Sequence, residues 1–146
     1  MIVIIRISGL VGIRNDVART LEIMRLRRKY ACTLLPANSE THGMLEKVKN
    51  YAAYGEISQE SLKELLQKRG KIPGDKLVDV KRITDELVKK VIETSSTEDL
   101  KKIGLKPFFR LHPPIGGFKK STKLLFPKGV LGDYKDKINI LLKKMI

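Results

Sequence analysis

The 146-residue sequence has one cysteine, two histidines, no tryptophan and only eight aromatic residues in all. The single thiol, Cys32, excludes an internal disulfide framework and any multi-cysteine zinc site. His42, His112 and Cys32 stand singly, none with a second ligand at metal spacing, so no metal is expected. Cys32 sits in a mostly apolar stretch and reads as an inert core thiol. Long apolar runs are also missing. The N-terminal one ends at Ile5, before Arg6, too short for a signal peptide or a membrane span, and a soluble cytoplasmic protein is expected. Acidic residues are scarce, 16 against 30 lysines and arginines, and the net charge is +14. No two carboxylates are placed as an acid and base pair, so neither catalytic residues, a cofactor nor a small-molecule substrate is expected.

What is present is positive charge, unevenly placed. Residues 1–57 carry 9 basic and 5 acidic side chains, residues 58–100 carry 9 of each, and residues 101–146 carry 12 and 2. An excess of this size is self-repulsive unless a polyanion offsets it, which points first to nucleic acid or an anionic membrane. The last segment also holds Phe108, Phe109, Phe118, Phe126 and Tyr134. Rings among cations suit stacking on unpaired bases; packing in the core is the other reading of the same rings.

Local patterns predict the elements. Met1–Ile7 is β-branched and almost wholly apolar, a central strand buried on both faces. A helix follows from Arg14 or Asn15 to Leu26, with Val17, Ala18, Leu21 and Met24 on one stripe and Arg14, Arg19 and Arg25 on the other side. Arg25, Arg27, Arg28 and Lys29 end it; they either compensate the helix dipole or contact phosphates. Tyr30–Leu35 is a second strand, 39–50 a second helix with Gly43 inside it, and Tyr51–Ile57 a third strand. Beyond Ser58, a good N-cap, come a helix ending at Gly70, a loop around Pro73-Gly74, a helix carrying Val80 to Ile92, and a short helix opening at Ser96 and stopping at Gly104. Leu105–Leu111 is a strand at a sheet edge, broken by Pro107. A last helix begins near Asp133. The fold class expected is α+β, with a β-α-β-α-β core at residues 1–57, a helical extension at 58–104, and a basic loop with a C-terminal helix at 105–146.

The densest candidate site lies in that third segment. Arg110, Lys119, Lys120 and Lys123 can reach phosphates, and His112 and Phe118 can stack on a splayed base. Pro113 and Pro114 limit the entropy lost on ordering, while Gly116 and Gly117 let the backbone approach a groove. The glycine turn Ser8-Gly9-Leu10-Val11-Gly12 lacks both the dinucleotide spacing and the Walker lysine. It is a weak basis for a nucleotide-dependent enzyme, although a helix N-terminus there can hold a phosphate. A DNA-binding architectural or regulatory protein remains the alternative; no helix-turn-helix or basic zipper is visible to support it.

Several segments together carry a family resemblance. Arg19-Thr20-Leu21-Glu22, Leu26-Arg27-Arg28, His42-Gly43-Met44 and Lys47-Val48 resemble the universal "L-thirty" family of the large ribosomal subunit. Pro107-Phe108-Phe109-Arg110-Leu111, Pro113-Pro114-Ile115-Gly116-Gly117-Phe118-Lys119-Lys120, Leu131-Gly132 and Ile138-Asn139 through Met145 are similar to its long archaeal and eukaryotic form, the archaeal one fitting better. The resemblance implies a split β-α-β-α-β, ferredoxin-like core with an antiparallel three-stranded sheet, to which the local patterns add two helices on one face and a mostly helical extension. It implies binding to large-subunit ribosomal RNA, in the neighbourhood of the 5S RNA, beside other large-subunit proteins. Arg27, Arg28, His42, Gly43 and Lys47 would face RNA from the core, and the Pro-Pro-x-Gly-Gly stretch from the extension. Ile115 stands where family members often carry arginine, which shifts that phosphate contact to Lys119 or Lys120.

Overall fold

The structure is a computed structural model and describes residues 1–72, 74, 76–77, 85–93 and 104–146. β1 (Ile2–Arg6) is buried along its whole length and lies between β2 (Ala31–Leu35) and β3 (Ala52–Glu56), antiparallel to both. Ile4 faces Thr33 on one side and Tyr54 on the other. Its apolar side chains alternate between two cores, as the pleat requires. Ile2 and Ile4 pack with Val17, Leu21 and Met24 of the α1 region (α1, Asn15–Ile23) and with Leu45 and Val48 of α2 (Ser39–Val48). Val3, Ile5 and Ile7 point the other way, into a core with Leu62, Leu65 and Leu66 of α3 (Gln59–Arg69) and Val88 and Val91 of α4 (Asp85–Glu93). Ile138, Leu142 and Met145 of α5 (Ile138–Met145) complete it. Helices cover both faces, which is why β1 reads as an unbroken apolar run.

The three-stranded sheet expected from the resemblance is only the centre of a larger one. Six strands run in the order β4-β2-β1-β3-β6-β5, with β4 (Phe109–Arg110), β5 (Ser121–Leu125) and β6 (Gly129–Asp133) all drawn from the C-terminal segment. β4 pairs antiparallel with β2, Cys32 facing Phe109, and sits at the edge where the proline-broken strand was expected. β6 runs parallel to β3, Ala53 facing Gly132, and β5 pairs with β6 in an irregular register. Among the described residues the extension thus adds three strands to the sheet beside its helices α3, α4 and α5. Ser121–Leu125 is exposed throughout and shows no alternation, and glycines interrupt β6. Neither segment is recognisable as a strand alone; the open edge of β3 decides their pairing.

Helix ends follow the sequence more closely. The Ser58 hydroxyl accepts the Ser61 N–H (3.3 Å) at the start of α3, and Ile57 and Leu62 both join the same core. A 3-10 turn, Lys135–Lys137, precedes α5. Asn139 ties that junction to the β3–α3 corner: its Oδ1 accepts from Ser58 N (3.0 Å) and its Nδ2 donates to Glu56 O (3.0 Å). Gly55 permits this packing, because a Cβ there would strike the Lys135 carbonyl and the Ile138 side chain. Cys32 is fully buried and its thiol is pushed up by that burial. The short helix expected from Ser96 and the start of the helix expected from Val80 lie outside the described residues.

Candidate nucleic-acid interface

The basic run after α1 is held in a defined shape. The Leu26 N–H bonds to Leu21 O (2.8 Å) and the Arg25 N–H to Glu22 O (2.9 Å), the Schellman arrangement that closes a helix. Arg25 occupies the left-handed position of this motif, at φ 61°, where glycine is the usual residue. A side chain with a Cβ costs roughly 1–2 kcal/mol there, so a cation stands at this spot against the local preference. Tyr30, at φ 63°, closes the run at its other end.

Arg6 holds the run in place from below. It is 1% exposed, and its guanidinium donates to four carbonyls: Leu26 O (2.7 Å) and Arg27 O (3.1 Å) from Nη1, Gly9 O (2.8 Å) from Nη2, and Ser8 O (3.0 Å) from Nε. Burial lowers its pKa, but an arginine remains charged. Every buried side-chain polar atom among the described residues has a partner.

Sheet pairing then brings distant cations together. Ala31 faces Arg110, and the Leu111 N–H bonds to Tyr30 O (3.0 Å). The result is an open groove of about 700 Å³ between the α1–β2 turn and β4, lined by Arg25, Arg27, Arg28, Lys29 and Arg110 with Glu22 as its only carboxylate. Glu22 Oε1 lies 2.6 Å from Arg27 Nη2, both side chains mostly exposed. Such a pair contributes at most about 1 kcal/mol, so it holds Arg27 only weakly. Lys29 lies over the Tyr30 ring, 5.0 Å from its centroid.

The Pro-Pro-Ile-Gly-Gly loop is anchored beside this groove. The Gly117 N–H bonds to Pro114 O (2.9 Å), and both glycines have positive φ (79° and 72°), so this turn needs them for its backbone. A Cβ on either would meet open space. The His112 N–H bonds to Met145 O (3.0 Å) and the Ile115 N–H to Lys144 O (2.9 Å), satisfying carbonyls that the last turn of α5 leaves unpaired. Phe118 is half-buried and stacks on Tyr30 at 6.4 Å, which joins loop and groove. Of the remaining rings, Phe109 and Tyr134 are buried in the core. Pro113, His112 and Ile115 are exposed, Pro114 is buried, and Lys119, Lys120 and Lys123 are exposed.

Other expected site residues lie elsewhere. Arg14 precedes α1 and pairs with Asp16 (2.9 Å), and Arg19 projects from α1; neither lines the groove. The Val17 backbone N–H and, after it, Arg14 hold the Asp16 carboxyl below its usual range. His42, Gly43 and Lys47 are exposed on α2. His42 lines a different cleft, whose carboxylates are Glu46, Glu56, Asp133 and Asp136. In the glycine turn, Leu10 and Val11 are exposed, and Gly9 turns its carbonyl to Arg6.

Sequence reasoning missed Arg6, which reads as a strand terminus, and Lys137 and Lys144. These two lysines lie with Lys119 and Lys120 around a second, smaller cleft. Their signal was available: residues 137, 140, 141 and 144 keep helical spacing on one stripe of α5, apart from the core stripe of Ile138, Leu142 and Met145. Among the described residues no cluster of His, Cys, Asp and Glu is arranged to hold a metal, and no helix is long and apolar enough to cross a membrane.

Comparison with known proteins identifies the family. The family model described as ribosomal protein L30p/L7e matches residues 2–52. The large ribosomal subunit protein uL30 of Archaeoglobus fulgidus is 42% identical over 154 aligned positions, covering 99% of both chains. Those of Methanococcus maripaludis and Methanosphaera stadtmanae are each 39% identical, over 98% and 100% of this chain and 97% and 100% of their own. The family is one of structural ribosomal proteins, not enzymes. With matches that run essentially end to end, the chain belongs to the uL30 family of large ribosomal subunit proteins.

Proposed function

We propose that the protein is a structural constituent of the large subunit of the cytoplasmic ribosome. It binds large-subunit ribosomal RNA, in the neighbourhood of the 5S RNA, and fixes the relative placement of RNA helices beside neighbouring large-subunit proteins. The observation that carries this reading is the β2–β4 pairing, which joins Arg110 to Arg25, Arg27, Arg28 and Lys29 in one groove. The Pro-Pro-Ile-Gly-Gly loop and its lysines extend that surface through the Phe118–Tyr30 contact. His42, Gly43 and Lys47 contribute a second contact from α2, and the charge-neutral segment 58–100 serves as a scaffold. If about six phosphates are neutralised, affinity falls on the order of a thousandfold between 50 and 200 mM salt.

The test replaces Arg27, Arg28, Lys119 and Lys120 with glutamate and measures co-sedimentation with large subunits through a high-salt wash. The four side chains are exposed, so the variant folds, and incorporation is lost. Undiminished incorporation of the folded variant refutes the reading. Competition between large-subunit RNA fragments and duplex DNA at fixed salt separates it from a DNA-binding role; preference for the duplex favours the latter.

A further inference from the structure

The cleft between the Pro-Pro-Ile-Gly-Gly loop and α5 has a composition unlike the rest of the surface. Its floor is apolar and partly aromatic, formed by Phe118, Phe126, Val130 and Leu141, and its volume is about 240 Å³. Lys119, Lys120, Lys137 and Lys144 also line it, and among the described residues no carboxylate does. None of the four makes an ion pair among the described residues. Two are positioned by the ring they border: Lys120 Nζ lies 5.4 Å and Lys137 Nζ 5.6 Å from the Phe126 centroid. Lys120 Nζ also donates to Pro127 O (2.6 Å). Phe126 itself is braced by Tyr134, with ring centroids 4.5 Å apart. Ile140, 62% exposed, is an apolar residue of α5 left uncovered in this cleft.

We propose that this cleft receives the base of one unpaired ribosomal RNA nucleotide, turned out of its strand, while the lysines hold the phosphates on either side. The proposal rests on the RNA-binding reading above and adds a defined pocket to it. A nucleotide matches the site because it joins a flat apolar ring to flanking anions within one residue. Stacking and apolar contact hold the base without selecting its identity, and the ammonium groups supply phosphate contacts. An acidic peptide segment would place its apolar and anionic groups on separate side chains. Continuity favours RNA as well: Phe118 lines this cleft and stacks on Tyr30 of the basic groove, so a strand lying along the groove runs on into the cleft.

The experiment uses large subunits assembled with the full chain. In one arm, Ile140→p-benzoylphenylalanine is photolysed within the subunit and the crosslinked partner is identified. In the other, base-specific chemical probing compares subunits carrying the unaltered chain with subunits carrying Ile140→Glu, an exposed substitution that leaves both cores untouched. The expected result is a crosslink to one unpaired ribosomal RNA nucleotide. That base should be protected by the unaltered chain and about tenfold more reactive with Ile140→Glu, the loss of one stacked base. A crosslink to a protein, a crosslink to a paired nucleotide, or unchanged reactivity overturns the pocket and leaves the ribosomal reading standing. Absence of the unaltered chain from large subunits overturns both.

Discussion

Replacing Arg6 by alanine tests how the basic run after α1 is held. The side chain donates four hydrogen bonds of 2.7–3.1 Å to carbonyls on both loops that leave the sheet at this end, residues 8–9 and 26–27. Hydrogen bonds to a charged group contribute about 1.5–3 kcal/mol each, but burying the guanidinium costs several kcal/mol. The intact arrangement is therefore only modestly favourable in net terms. Truncation is different, because it leaves a void and four carbonyls without their donor. We expect Arg6→Ala to lose about 2–4 kcal/mol, from the void and the buried Leu26 carbonyl left without a donor. The other three hydrogen bonds are partly buried and replaceable by water. Arg6→Lys keeps the charge but cannot span four acceptors, and should lose about half as much. Denaturant unfolding with a common slope measures both. Affinity for large-subunit RNA should fall under conditions where each variant is still folded, since Leu26 and Arg27 lose their anchor. A loss below about 1 kcal/mol for Arg6→Ala, or a lysine variant equal to the native chain, would refute the reasoning.

Three further expectations use the same measurements. Arg25→Gly relieves the left-handed backbone and should stabilise the fold by about 1 kcal/mol, yet weaken RNA binding and lower the salt slope by about one; both changing in the same direction would contradict a functional reason for Arg25. Gly43→Ala adds a Cβ with nothing within 4 Å, so α2 should gain roughly 0.5–1 kcal/mol. Incorporation into subunits should nevertheless fall, and an unchanged level would remove Gly43 from the RNA-facing set. Cys32 should react with a chromogenic disulfide only at the rate of unfolding. Burial raises the thiol pKa, so the reactive thiolate is suppressed in the folded chain at neutral and mildly alkaline pH; rapid labelling without denaturant would show that the strand is accessible.

The elements of the first 57 residues were legible because each carries its own period. β1 is apolar on both faces and the stripes of α1 and α2 are regular, so local pattern and final packing agree. Ser58 as a cap and Pro107 as a mark of an edge strand were legible for the same reason: their effects act within a few residues. β5 and β6 were not, since exposed side chains and glycines give no alternation to read. Arg6 was missed because a basic residue ending a strand ordinarily reaches solvent, and only the return of residues 26–27 over it makes it a buried donor.

The basic excess and its concentration in two separate stretches were determined by the sequence alone, and with them the family and the expectation of a polyanionic partner. Composition sets the long-range field, whatever the fold. Tertiary structure decided which cations act together. Pairing of β2 with β4 carries Arg110 to the α1–β2 turn, and the docking of α5 sets Lys137 and Lys144 opposite Lys119 and Lys120. It equally set His42 in a cleft with carboxylates, apart from that groove. Phosphate contacts depend on distances of a few ångströms, and residues eighty positions apart acquire such distances only when a shared sheet edge brings them together.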